Sequence, residues 1–290
     1  MNSNRLKIAA AQYDIGQFPR WADYATKLEF WTEAAAAKGA RLLVYPEYFS
    51  LELASLFPEA VQVSLARQLE ALQSLLPDFL ELFQSLALRH NVYIVAGTFP
   101  VRDARGIYRN RCHLFYPNGQ HGFQDKLLMT RFEREHWGIS GGEAVQTFDT
   151  PFGRIGVNVC YDAEFPLIAR RQVEAGATLI LVPSCTDTLA GYHRVRIGCQ
   201  ARALENQCCV VQSPTVGIAP WSEAVDINIG AAAVYTPVDR GFPDNGILAI
   251  GDLNQPQWVH AEIDLASIER VRNEGQVFNH RDWDEQARVV

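Results

Sequence analysis

Arg5–Gln12 reads RLKIAAAQ and Ala40–Tyr45 reads ARLLVY. Each is a short, near-continuous apolar run, the pattern of a strand covered on both faces. Between them Trp21, Tyr24, Leu28, Trp31 and Ala35 recur at helical spacing, which predicts a helix over Arg20–Lys38 with one buried face. Gly39 follows, where a helix cap is expected. Strand, helix and strand in this order imply an α/β layered fold.

The order continues outward. Leu65–His90 carries Leu69, Leu72, Leu76, Phe79, Leu80 and Phe83 on one helical face, kinked or divided at Pro77. Asn91–Thr98 (NVYIVAGT) is a third buried strand. Arg109–Tyr116 and Gln120–Leu127 flank Pro117-Asn118-Gly119, a hairpin signal. After an irregular stretch the early order returns: strand Arg154–Val159, helix Glu164–Ala175, strand Ala177–Val182, helix Tyr192–Glu205, strand Gln207–Gln212. Strands at Ile229–Tyr235, Ile247–Gly251 and Trp258–Asp264, then a helix over Leu265–Arg272, complete the pattern. No linker rich in Pro, Gly or Ser divides the two halves. The expectation is one domain over residues 1–290, with a core of about 5–272 and a C-terminal tail of 273–290. Its two similar halves would pack mixed sheets face to face with helices outside, a four-layer αββα sandwich.

Composition narrows the partners. With 26 basic and 33 acidic residues among 290, the net charge of −7 argues against a nucleic acid or an anionic membrane. No apolar run approaches the ~18 residues of a membrane-spanning helix. Met1–Gly16 lacks a secretory pattern. Six cysteines without a CxxC pair speak against a disulfide framework. A reduced, cytoplasmic enzyme is expected.

Three strand ends carry unusual chemistry. Val44-Tyr45-Pro46-Glu47-Tyr48 places a carboxylate after a buried strand, and Phe123-Gln124-Asp125-Lys126 places an ammonium after the hairpin. Gly156-Val157-Asn158-Val159-Cys160-Tyr161-Asp162 places a thiol between a strand and a helix, near backbone N–H groups that favour a thiolate and can hold an oxyanion. Taken singly, these residues have bland readings as a small core thiol, a solvated loop acid and a solvated edge lysine. Together they offer nucleophile, base and electrophile, a set suited to attack on an amide or nitrile carbon.

The segments YPEYFS around Glu47, DKLLMTRFERE around Lys126 and GRIGVNVCYDAEFP around Cys160 resemble the nitrilase superfamily of carbon–nitrogen hydrolases. ARALENQ (Ala201–Gln207) and FNHRDW (Phe278–Trp283) add to a likeness that covers roughly residues 5–283. The resemblance implies an αββα sandwich with Glu47 as general base, Lys126 as oxyanion stabiliser and Cys160 as nucleophile. It implies a second glutamate after the lysine, for which spacing favours Glu133 over Glu135, and the Tyr161 N–H as a further oxyanion donor. No metal and no organic cofactor are implied. Cys160-Tyr161-Asp162 resembles the amidase-like branches, whereas Glu133-Arg134-x-x-Trp137-Gly138 resembles a nitrilase stretch. The expected activity is cleavage of a small linear amide or carbamoyl compound through a Cys thioester. A nitrilase and a catalytically silent interaction or sensing member are the alternatives, and a Cys-His hydrolase using His136 or His193 is a third. Expected pocket walls are Tyr48, Phe49, Phe132, Trp137, Tyr161 and Ser184–Asp187, with Ser184 and Thr186 as substrate-binding residues. Arg170, Arg171, Arg194 and Arg196 could meet a substrate carboxylate, although helical arginines are usually solvated. A homodimer or higher homo-oligomer is expected from the resemblance.

Overall fold

The structure, a computed structural model, describes residues 5–289. In the first half β1 (Arg5–Asp14) leads through α1 (Trp21–Ala37) to β2 (Leu42–Tyr45), which lies parallel to it. A 3-10 helix over Phe49–Leu56 precedes α2 (Glu59–Gln62), α3 (Leu65–Leu72) and α4 (Leu76–His90). β3 (Tyr93–Arg102) then pairs parallel to β2, followed by the antiparallel β4 (Tyr108–Phe115) and β5 (His121–Asp125).

The second half opens on a hairpin, β6 (Thr147–Thr150) and β7 (Gly153–Val157). α5 (Pro166–Glu174), β8 (Ala177–Ser184), α6 (Leu189–Asn206) and β9 (Cys209–Ile218) follow, and β7, β8 and β9 are parallel. β10 (Ile227–Asn228) and β11 (Ala233–Tyr235) pair antiparallel with β9, and β12 (Ile247–Ile250) with β11. β13 (Gln257–Asp264) returns to the first sheet, antiparallel to β1 from Arg5–Asp264 to Gln12–Gln257, and α7 (Leu265–Glu274) follows it.

One sheet therefore runs β13-β1-β2-β3-β4-β5 and the other β12-β11-β9-β8-β7-β6. They join at one corner, where Tyr13 and Asp14 pair with Thr215 and Val216. Because strand side chains alternate, each sheet has two apolar faces to cover. Ile8, Ala10, Leu42, Val44 and Val95 share one core with Ile155, Val157, Leu179 and Leu181 of the second sheet. The alternate residues Ala9, Leu43, Tyr45 and Ile94 pack with Leu28, Phe79 and Phe83 of α1 and α4. Helix, sheet, sheet, helix is the layering that results. The Ser213 hydroxyl crosses between the sheets, donating to Ala11 O at 2.7 Å or Val44 O at 2.9 Å.

Several boundaries differ from the sequence expectation, each for a local reason. The 65–90 helix is divided by a 3-10 turn at Gln73–Leu75, and Pro77 sits in the first turn of α4, where its missing N–H is not needed. α5 begins at Pro166 rather than Glu164 because Cys160–Glu164 forms its own 3-10 turn. Gln207 is no strand residue but a left-handed cap of α6, φ 44°, so β9 starts later and runs longer. Residues 229–232 are irregular, and the stretch before β7 holds the unforeseen β6. Among the described residues no helix is long and apolar enough to cross a membrane.

Gly97 shows how closely the fold surrounds the end of β2. Its φ is +53°, and an added Cβ would overlap the Pro46 carbonyl oxygen and crowd the Phe49 ring. Gly119, at the hairpin tip, has φ +91° but open space around it. Gly97→Ala is thus expected to lose about 2–4 kcal/mol, and Gly119→Ala about 1–2 kcal/mol from backbone strain alone. Urea denaturation of the two variants checks the order; equal losses would contradict it.

Candidate active site

Four separate chain segments converge at one buried point. Glu47 follows β2, Lys126 follows β5, Glu133 opens a π-helical turn over Glu133–Trp137, and Cys160 follows β7. Glu47, Lys126 and Glu133 are each no more than 2% exposed and Cys160 is 4% exposed. Lys126 Nζ lies 2.9 Å from Glu47 Oε1 and 2.7 Å from Glu133 Oε2. Glu135, two residues on, is exposed and pairs with Arg131 at 2.8 Å, so the glutamate on the lysine is Glu133. The wide π turn faces both Glu133 and Trp137 inward, and Gly138, φ +76°, ends it.

The two carboxylates are held differently. Glu133 Oε1 accepts from the Tyr48 hydroxyl at 2.6 Å and Asn110 Nδ2 at 3.1 Å. Its Oε2 accepts from Lys126, from Thr130 N–H at 2.9 Å and from Thr130 Oγ1 at 2.8 Å. Burial would raise its pKa, but Lys126 and these donors outweigh burial and hold it below the usual range. Glu47 Oε1 has Lys126 and, at 2.8 Å, Asn110. For Glu47 burial wins over Lys126, and the nearby Glu133 charge adds to the rise. Lys126 is held well above the lysine range: burial opposes its charge, and the two glutamates more than offset that.

Cys160 opens its 3-10 turn at φ 50°, and Tyr48, beside Glu47, has φ 55°. Side chains rarely adopt this region, and strain of this kind gathers at functional sites. The Cys160 Sγ donates to the Cys185 carbonyl at 3.7 Å, with Glu47 and Lys126 near enough for both charges to act on it. Burial, then Glu47, push the thiol well above its ordinary pKa, and Lys126 offsets only part of that. Burial and Glu47 thus work against the thiolate that the N–H groups of the turn favour.

Asp162 ties the cysteine turn to the lysine loop. Its carboxylate accepts from Leu127 N–H at 3.0 Å, Leu128 N–H at 2.8 Å and Val159 N–H at 3.3 Å. Burial nonetheless raises its pKa to about 7. From below, Arg202 donates to Ala163 O at 3.1 Å, and a Cβ on Gly198 would lie 2.7 Å from that same oxygen.

Above the four groups opens a cavity of about 560 Å³. Tyr48, Phe132, Trp137 and Tyr161 line it, as do Thr186 and Asp187. Ser184 does not: it is buried beneath the wall, its hydroxyl donating to Ser213 O at 3.4 Å. Phe49 likewise belongs to the core. Of the four helical arginines only Arg194 reaches the cavity, 3.9 Å from Glu164; His136 and His193 are exposed outside its lining. Cys185, within the expected wall segment Ser184–Asp187, is part of the lining. Asn110 carried no signal, because its partners lie 63 and 23 residues away in the chain. Asp162 stood inside a quoted motif, but only the fold reveals what it accepts. No group of three or more His, Cys, Asp or Glu among the described residues is placed to hold a metal ion. Asp162→Ala, which strands the buried Val159 N–H and the half-buried N–H groups of Leu127 and Leu128, is expected to lower stability by about 2–4 kcal/mol. Guanidinium denaturation measures it, and an unchanged midpoint would refute the tie.

The carbon-nitrogen hydrolase family model matches residues 7–273. The chain is 36% identical over 277 residues to the probable hydrolase YhcX of Bacillus subtilis (strain 168), covering 96% of this chain and 53% of that protein. It thus spans about half the length of that relative. It is 25% identical over 285 residues to the omega-amidase NIT2 of Homo sapiens, 95% of each chain being covered. The fold is shared with Nit3 of Saccharomyces cerevisiae, a member of branch 10 of the nitrilase superfamily, at a TM-score of 0.73, 23% identity and 93% of each chain. The chain belongs to the carbon-nitrogen hydrolase family.

Proposed function

We propose that the chain hydrolyses a small linear amide or carbamoyl compound through a thioester on Cys160. The observation that carries this reading is the buried Lys126 between Glu47 and Glu133, beside the sulfur. In the resting site Lys126 is cationic, Glu133 anionic and Cys160 a thiol.

Glu47 takes the thiol proton as Sγ bonds to the amide carbon. The carbonyl oxygen becomes an oxyanion, stabilised by Lys126 and by the Tyr161 N–H, which as a first-turn donor has no intrahelical acceptor. Collapse breaks the C–N bond, and Glu47 passes its proton to the leaving nitrogen. Ammonia or an amine departs, leaving the thioester. Water then attacks the thioester carbon, giving its proton to Glu47, and the thiol leaves with that proton. Glu133 stays ionised throughout, fixing the ammonium in place. The pKa values of the two glutamates lie apart in the manner that separates a proton carrier from a fixed charge.

The aromatic wall suits a compact acyl group. The omega-amidase relative supports an amide over a nitrile. Exposed Leu167, Ile197 and Leu204 on α5 and α6 support pairing of copies of this chain. The proposed partner is a small molecule, with neither nucleic acid nor membrane involved.

Ammonia release from a panel of amides, carbamoyl compounds and nitriles tests the function. Cys160→Ala is expected to show none above background, and Lys126→Met a loss of about 10²–10³-fold in kcat. Turnover retained by Cys160→Ala would remove the sulfur from the mechanism. Because Glu47 must be ionised to accept a proton and its pKa is raised above 4.5, kcat/KM falls as pH drops through a value above 4.5. An acid limb at or below 4.5 would contradict Glu47 as the base.

A further inference from the structure

Asn110 lies on β4, fully buried, and the hydrolytic scheme leaves it without a role. Its Nδ2 donates to Glu47 Oε1 at 2.8 Å and to Glu133 Oε1 at 3.1 Å. Both amide N–H bonds therefore go to the two glutamates. Its backbone carbonyl accepts from the Lys126 N–H at 2.8 Å. One residue thus touches all three charged members of the site.

The same side chain is a poor choice for stability alone. Its Oδ1 is buried without a partner, a condition that an apolar residue of similar size would remove. A local rule broken at a site, with no gain in packing, points to function. The gain is visible at Glu47. Oε1 is occupied by Lys126 and Asn110, whereas Oε2 accepts from neither. An uncharged donor is also the right kind of donor here. A second cation would make Glu47 too weak a base to take a thiol proton, and another carboxylate would repel both glutamates.

We propose that Asn110 is a positioning residue that clamps Glu47 and Glu133 together and directs the Cys160 proton to Glu47 Oε2. This rests on the hydrolytic reading above for its effect on turnover, but not for its effect on the thiol. Removing the clamp withdraws a hydrogen bond from the charged form of Glu47, so its carboxyl becomes harder to ionise.

Asn110→Leu and Asn110→Ser are the variants, each taken forward once its circular dichroism spectrum and thermal transition show a folded chain; the smaller serine serves where leucine does not fold. The kcat for ammonia release is expected to fall about 10- to 100-fold with little change in KM. The acid limb of kcat/KM is expected to move up by about one pH unit. Alkylation of Cys160 by iodoacetamide is followed over the same pH range, and its Glu47-dependent rise is expected to move the same way. A wild type that is alkylated but hydrolyses nothing on the panel removes the hydrolytic reading only. In that case a shifted alkylation profile still supports the clamp. Folded variants whose profiles stay where the wild type's are overturn it.

Discussion

The site depends on one ammonium held out of water. Lys126 is 1% exposed, and an unpaired charge at that depth would not persist. Two carboxylates within 2.9 Å make it tolerable, and they in turn would repel each other without it. The three groups are therefore mutually conditional, and each segment that brings one of them must be held firmly. The supply of donors is unequal, which separates the two acids. Glu133 is surrounded by Lys126, Tyr48, Asn110 and Thr130, while Glu47 Oε2 accepts from neither Lys126 nor Asn110.

Rigidity comes from parts of the chain that do no chemistry. Tyr48 N–H donates to Thr98 Oγ1 at 2.9 Å, tying the Glu47 turn to β3. Asp162 binds the cysteine turn to the lysine loop, and Arg202 supports that turn from α6. Two segments with a familial look but no evident reaction chemistry find their meaning here. In ARALENQ, Gln207 donates to Val277 O at 3.1 Å and accepts from His280 N–H at 3.1 Å, holding the tail. In FNHRDW, His280 O accepts from Arg170 at 3.1 Å while the Trp283 ring lies 4.9 Å from that guanidinium. The tail is thereby fastened to α5 and to the end of α6, the two helices that cover the second sheet.

Burial has a consequence for the sulfur as well. A cysteine at a strand-to-helix turn is often a thiolate because the turn's N–H groups favour the anion. Here the dry surroundings and the Glu47 charge outweigh them. In the proposed hydrolysis nucleophile and base would therefore share one proton, its movement coupled to the attack rather than completed beforehand.

Most of the layering was legible from residue order. Short apolar runs such as RLKIAAAQ and ARLLVY, bounded by turn residues, read as strands covered on both faces, and helical spacing between them sets the crossover. Glu47, Lys126 and Cys160 could be marked at three strand ends, but each alone read as an ordinary residue; their combination and the resemblance of their motifs to a known family singled them out, and that resemblance favoured Glu133 while leaving Glu135 open. Boundaries were less legible: a left-handed cap at Gln207 and a 3-10 turn at Cys160 depend on contacts that local propensity does not carry. The sequence by itself determined the class of fold and the kinds of group available for chemistry. Only the tertiary structure decided that Glu133 rather than Glu135 faces the ammonium, that Ser184 lies beneath the wall, and that Asn110 joins two acids far apart in the chain. Which side of a turn is buried, and which distant donors meet it there, follows from how the layers pack, and packing is a property of the whole chain.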